Sequence, residues 1–100
     1  MDIIITEAAA SYFQTIQPKK AVRVVARDTF ECSTMIEFYL QLDDPIETED
    51  KVVKEAGQQF IYNKKASDEI GSRVTIDYKP TQGLKMINPN QTLAYGLTLK

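Results

Sequence analysis

Apolar positions recur along this chain at two different periods. Near the start Ala9, Tyr12, Phe13 and Ile16 return at helical spacing and make one apolar face. Before them Ile3, Ile4 and Ile5 are β-branched and read as a short strand. Between the two, Thr6 can cap the helix by accepting from an orphan backbone N–H, and Glu7 suits the positive end of its dipole. Pro18 stops the helix, because Gln17 before it is pushed away from the αR region.

From there the period is two. In residues 21–27, Val22, Val24 and Ala26 face one way, and Arg23, Val25 and Arg27 the other. In residues 35–42, Ile36, Phe38, Leu40 and Leu42 form an inner row opposite Met35, Glu37, Tyr39 and Gln41; Asp43-Asp44-Pro45 ends this strand. Glu37 is expected to pair with Arg23 or Arg27 if the two strands are neighbours. Residues 58–62 follow Gly57 as another strand. Residues 65–70 predict a short helix capped near Ala66 or Ser67. Val74, Ile76 and Tyr78 alternate, Pro80 and Gly83 predict a turn, residues 84–87 a strand, and Asn88-Pro89-Asn90 a second turn. At the end Leu93, Tyr95, Leu97 and Leu99 alternate with smaller residues, which predicts a last strand with a wholly apolar face, docked on the sheet or on another protomer. The expected fold is one α+β domain over residues 1–100. It has an N-terminal helix, a short second helix and about six or seven mostly antiparallel strands, without linker or internal repeat.

Composition narrows the chemistry. The chain has 100 residues, no histidine and one cysteine, Cys32. A catalytic unit that needs imidazole is excluded, as are an internal disulfide and a four-ligand Cys/His zinc site. With a net charge of -2 and only short apolar runs, neither nucleic acid nor a membrane is an expected partner. One free thiol and no signal-peptide pattern point to the cytoplasm. Cys32 stands among polar residues in a turn, where it is either a small buried side chain or a metal or cluster ligand. Asp28 and Glu31 beside it argue against an activated nucleophile. The acidic run of Asp43, Asp44, Glu47, Glu49 and Asp50 lacks EF-hand spacing and reads as a solvated loop.

The order of these landmarks resembles the HesB-like A-type iron–sulfur carrier family. Ile3–Ala8 looks like its opening strand and helix, Val22-Arg23-Val24 its valine-arginine strand, and Cys32-Ser33-Thr34 its Cys-Ser-Gly motif. Ile76-Asp77-Tyr78 is similar to its Ile-Asp-Tyr block, and the segment from Gly83 to Asn90 to its Gly-Phe…Asn-Pro-Asn segment. The resemblance implies a pseudo-barrel sandwich, a homodimer and iron–sulfur assembly proteins as candidate partners, and an iron–sulfur cluster held by three cysteines. Without histidine, a metal set or a paired-carboxylate constellation, no enzymatic activity is expected. Only Cys32 is kept as a cofactor and metal ligand position. The family's final Cys-Gly-Cys-Gly falls on Tyr95-Gly96-Leu97-Thr98, so Tyr95 and Leu97 are lost ligand positions. Two readings stay open. Two Cys32 thiolates could meet in a dimer, with outside thiols completing the shell; or the fold is an interaction module without metal.

Overall fold

The computed structural model describes residues 1–29 and 36–99. Among them the order is β1 (Asp2–Ile5), α1 (Glu7–Ile16), β2 (Ala21–Asp28), β3 (Ile36–Asp43), β4 (Lys51–Glu55), β5 (Gln58–Tyr62), α2 (Lys64–Ile70), β6 (Arg73–Lys79), β7 (Gly83–Ile87) and β8 (Thr92–Leu97). The eight described strands form two four-stranded sheets, β1-β6-β7-β8 and β3-β2-β5-β4. One more strand is present than the upper expected number. The extra one is β4, whose sequence Lys-Val-Val-Lys-Glu is too charged to stand out as a strand.

Local signals explain both helices. Thr6 Oγ1 accepts from the Ala9 N–H at 3.2 Å, the expected N-cap bond. Gln17 takes a left-handed C-cap conformation (φ 44°) and its N–H donates to the Phe13 carbonyl, just before Pro18. The cap of α2 is Asn63, not Ala66 or Ser67. Its side chain accepts from the Ala66 N–H at 3.0 Å, while Ala66 itself is fully buried.

The two sheets are built from one unit used twice. Strand-helix-strand-strand occurs as β1-α1-β2-β3 and again as β5-α2-β6-β7. Each unit gives its first strand to the other's sheet: β1 pairs in parallel with β6, and β5 with β2. Registers agree residue by residue. Ile3 faces Val74 and Ile4 faces Thr75 in one sheet; Phe60 faces Val22 and Ile61 faces Arg23 in the other. Ala9 and Ala66 are both fully buried behind their caps, and Phe13 and Ile70 are buried one turn on. α1 packs on β6 and α2 on β2. This repeat, absent from the sequence expectation, is hidden because the paired positions share polarity but few identities. The fourth strands break the symmetry, β8 adding to β7 and β4 to β5.

One apolar core joins the two sheets, with Phe60, Leu40, Ile76, Leu84, Met86, Val22, Val24 and Val74 fully buried. The predicted inner row of β3 faces it: Leu40 is fully buried, and Ile36, Phe38 and Leu42 pack half-buried against the core. The tail docks within its own chain, as β8 on β7. Its apolar face is not continuous. Two register shifts interrupt the pairing, and Gly96 turns the backbone at φ 64°, so Tyr95 is 77% exposed while Leu93, Leu97 and Leu99 pack on the core. Gly83 lets β8 approach, since a Cβ there would stand 2.9 Å from the Leu97 carbonyl oxygen.

Candidate functional site

The expected cofactor and metal position, Cys32, lies outside the described residues. The two lost ligand positions are both described, and they diverge. Tyr95 turns to solvent and Leu97 sits on the core, paired across from Leu84. Among the described residues no group of three or more His, Cys, Asp or Glu side chains is placed to hold a metal ion.

The most organised polar cluster joins Arg23 to the acidic run expected to be a solvated loop. Arg23 is the only charge in the run Ala-Val-Arg-Val-Val-Ala, and it is buried. Its Nε donates to Asp43 Oδ2 at 2.9 Å. Its Nη1 and Nη2 donate to the two oxygens of Asp50 at 2.6 and 2.8 Å, and Nη2 also reaches the Asp44 carbonyl at 3.2 Å. Asp50 Oδ2 further accepts from the Ile46 N–H at 2.7 Å. This fork-on-fork pairing ties residues 44–50 down as a strap. The Asp50 side chain is only 1% exposed.

The expected solvated acidic loop is thus a structural clamp for two of its five acids, Asp43 and Asp50. The Arg23 guanidinium holds the Asp50 carboxyl below the usual carboxylate range, against the opposing effect of burial. Asp43 is lowered first by the Asp44 N–H and then by Arg23. Arg23 is raised in turn, mainly by Asp50. The available signal was a lone arginine inside an apolar strand followed by a run of acids, which is also what a surface pair looks like.

Other polar residues behave as local geometry requires. Arg27 pairs with Glu37 at 2.8 Å, directly across β2 and β3, so Arg27 and not Arg23 is the partner of Glu37. Thr6 donates its hydroxyl to Asp77 Oδ1 at 2.6 Å, which lowers the Asp77 pKa and joins the start of α1 to β6. Asn88 accepts from the N–H groups of Asn90 and Gln91 and donates to the Ile70 carbonyl, locking the predicted turn.

The family model for iron–sulphur cluster biosynthesis matches residues 1–100. The chain belongs to that family. No curated protein sequence matches it. Solved structures share the fold. Escherichia coli SufA, which is involved in the biosynthesis of iron–sulfur clusters, superposes with a TM-score of 0.72 at 19% identity, over 89% of this chain and 82% of that one. A Lactobacillus salivarius protein assigned to Fe–S biosynthesis gives 0.72 at 16% identity, over 100% and 97%. IscA with a [2Fe-2S] cluster gives 0.62 at 19%, over 88% and 86%.

The family resemblance and the α+β fold read from the sequence therefore hold. The described residues do not fit a cluster held by the family's tail. Leucine has no ligating atom, and tyrosine is not a usual cluster ligand. The packing adds a second obstacle: one of the two positions points out and the other in. No helix among the described residues is long and apolar enough to cross a membrane.

Proposed function

We propose that this family member serves iron–sulfur cluster biosynthesis by binding partner proteins, not by carrying a cluster on its own tail and not as an enzyme. The observation that supports this reading is the divergence of Tyr95 and Leu97, the first in solvent and the second packed on the core. In this reading β8 is a structural strand. Its candidate partners are iron–sulfur assembly proteins or a second copy of the chain.

Anaerobic reconstitution with ferrous iron and sulfide tests it. The wild-type protein stays colourless after desalting, and so does a Tyr95→Cys/Leu97→Cys double variant, because the two thiols leave the strand on opposite sides. A visible charge-transfer band in the wild-type protein that Cys32→Ser removes would overturn the proposal, and would favour two Cys32 thiolates meeting in a dimer.

A further inference from the structure

Among the described residues the two sheets end in four edge strands, and these are not alike. In β3 the charges are spent within the chain, Glu37 on Arg27 and Asp43 on Arg23. In β8 two register shifts break the line of the strand. β1 is four residues long and carries one acid and no cation. β4 pairs regularly along its whole length, and Lys51, Val52, Lys54 and Glu55 are exposed, Val52 to 51%. β1 passes near β4 without pairing with it.

The turn after β4 determines which of its backbone groups are free. Ala56 and Gly57 both have positive φ, 51° and 76°, and make the two-residue turn of the β4–β5 hairpin. The pair that flanks such a turn, Glu55 and Gln58, exchanges both backbone hydrogen bonds, and the pairs then alternate. Lys51, Val53 and Glu55 therefore direct their N–H and C=O groups to β5, and Val52 and Lys54 direct theirs away from it. Among the described residues no backbone hydrogen bond from another element reaches Val52 or Lys54.

The charges of this edge complement themselves. A second copy laid antiparallel on the free side, with the two-fold axis at Val53, sets Lys51 of each copy opposite Glu55 of the other. Val52 and Lys54 then meet as the hydrogen-bonded pair, and the aliphatic stem of Lys54 covers Val52. Matching free groups to free groups moves the axis in steps of one residue. An axis at Val52 sets Lys51 against Val53, and an axis at Lys54 brings two lysines face to face, so charge favours Val53. Lys51, Lys54 and Glu55 form no ion pair among the described residues. Of the acids in the cleft beside Lys51, Asp68 is held by Lys64 and Glu49 forms no ion pair.

We propose that this chain self-associates through β4, two copies pairing antiparallel about Val53 so that two four-stranded sheets become one continuous sheet, closed by a Lys51–Glu55 pair on each side of the axis. This rests on the partner-binding reading above, and it names the second copy as the partner and β4 as the strand that receives it. An edge of five residues is short, so the dimer is weak and depends on concentration.

The test is sedimentation equilibrium of the full chain from micromolar to millimolar concentration, where a monomer–dimer equilibrium is expected. Lys51→Glu and Glu55→Lys, each checked for fold by circular dichroism, should each raise the dissociation constant about tenfold or more, since each turns both cross-strand pairs into like charges. Mixed in equal amounts the two variants should regain the dimer, as should the double variant Lys51→Glu/Glu55→Lys. Val52→Pro removes a free N–H and none that β5 uses, and should weaken the dimer as well. A chain that stays monomeric at millimolar concentration would overturn the proposal. So would a dimer indifferent to both charge reversals, or variants that stay apart when mixed. A monomeric chain would leave the non-carrier reading standing with assembly proteins as the partners, whereas a Cys32-dependent chromophore would remove that reading and leave the β4 dimer standing.

Discussion

The two halves of this protein share a backbone plan and differ in how they treat their outer faces. In the β3-β2-β5-β4 sheet a buried arginine ties the acidic strap to β2, and Ile61, on an interior strand, is fully buried. In the β1-β6-β7-β8 sheet Thr75 stands where Arg23 stands in the other, and Ile4, on the edge strand β1, stays half in water. The equivalent strands end with different cover because β5 has a neighbour on each side and β1 on one side only.

The sharpest way to break the contrast is to remove the clamp. Arg23→Ala leaves the Asp50 carboxylate covered without its cation, and breaking a buried pair in this way costs about 3–5 kcal/mol. Asp43, being partly exposed, adds little to that figure. A urea denaturation midpoint that barely moves would show that the strap is not held by Arg23.

Next comes the matched pair of isoleucines. Ile61→Ala should destabilise by about 2–5 kcal/mol, as fully buried sites do, and Ile4→Ala by less than about 1 kcal/mol. Equal losses would mean that interior strand β5 and edge strand β1 do not differ in how they bury their isoleucines.

The smallest effect is the response to acid. The Asp50 and Asp43 carboxyls titrate lower in the folded than in the unfolded chain, the first chiefly through Arg23 and the second through the Asp44 N–H. Their contribution is complete above the ordinary carboxylate range and drains away as the pH falls through the depressed folded values. Thermal unfolding from pH 7 down to about 3 should show this loss in the wild-type protein, with a shallower slope in Asp50→Asn.

Much of the architecture is legible in the residues because local rules and packing agree there. Thr6 caps where a capping residue precedes an apolar helical stripe, and β2 and β3 alternate as half-buried strands do. What failed to show has three physical causes. β4 is an edge strand with three charges in five residues, so its pattern matches a loop. Arg23 and Asp50 are buried as a pair, and each alone reads as a solvent residue. Tyr95 departs from the tail's period of two because irregular pairing rotates it, and irregular pairing has no period to read. The candidate site was legible in its losses: Tyr95 and Leu97 could be named as non-ligands from their side-chain chemistry, but only the fold shows that they point apart.

The exchange of first strands between the two units also has a kinetic side. Asp2 finds its partner 71 positions later at Arg73, and β2 must wait for β5. Such distant pairings are slow to close, and during synthesis the first unit leaves the ribosome with β1 unmatched. Neither half completes a sheet alone. A cut between β4 and β5 should therefore yield two fragments that remain unfolded apart and recover structure only when mixed.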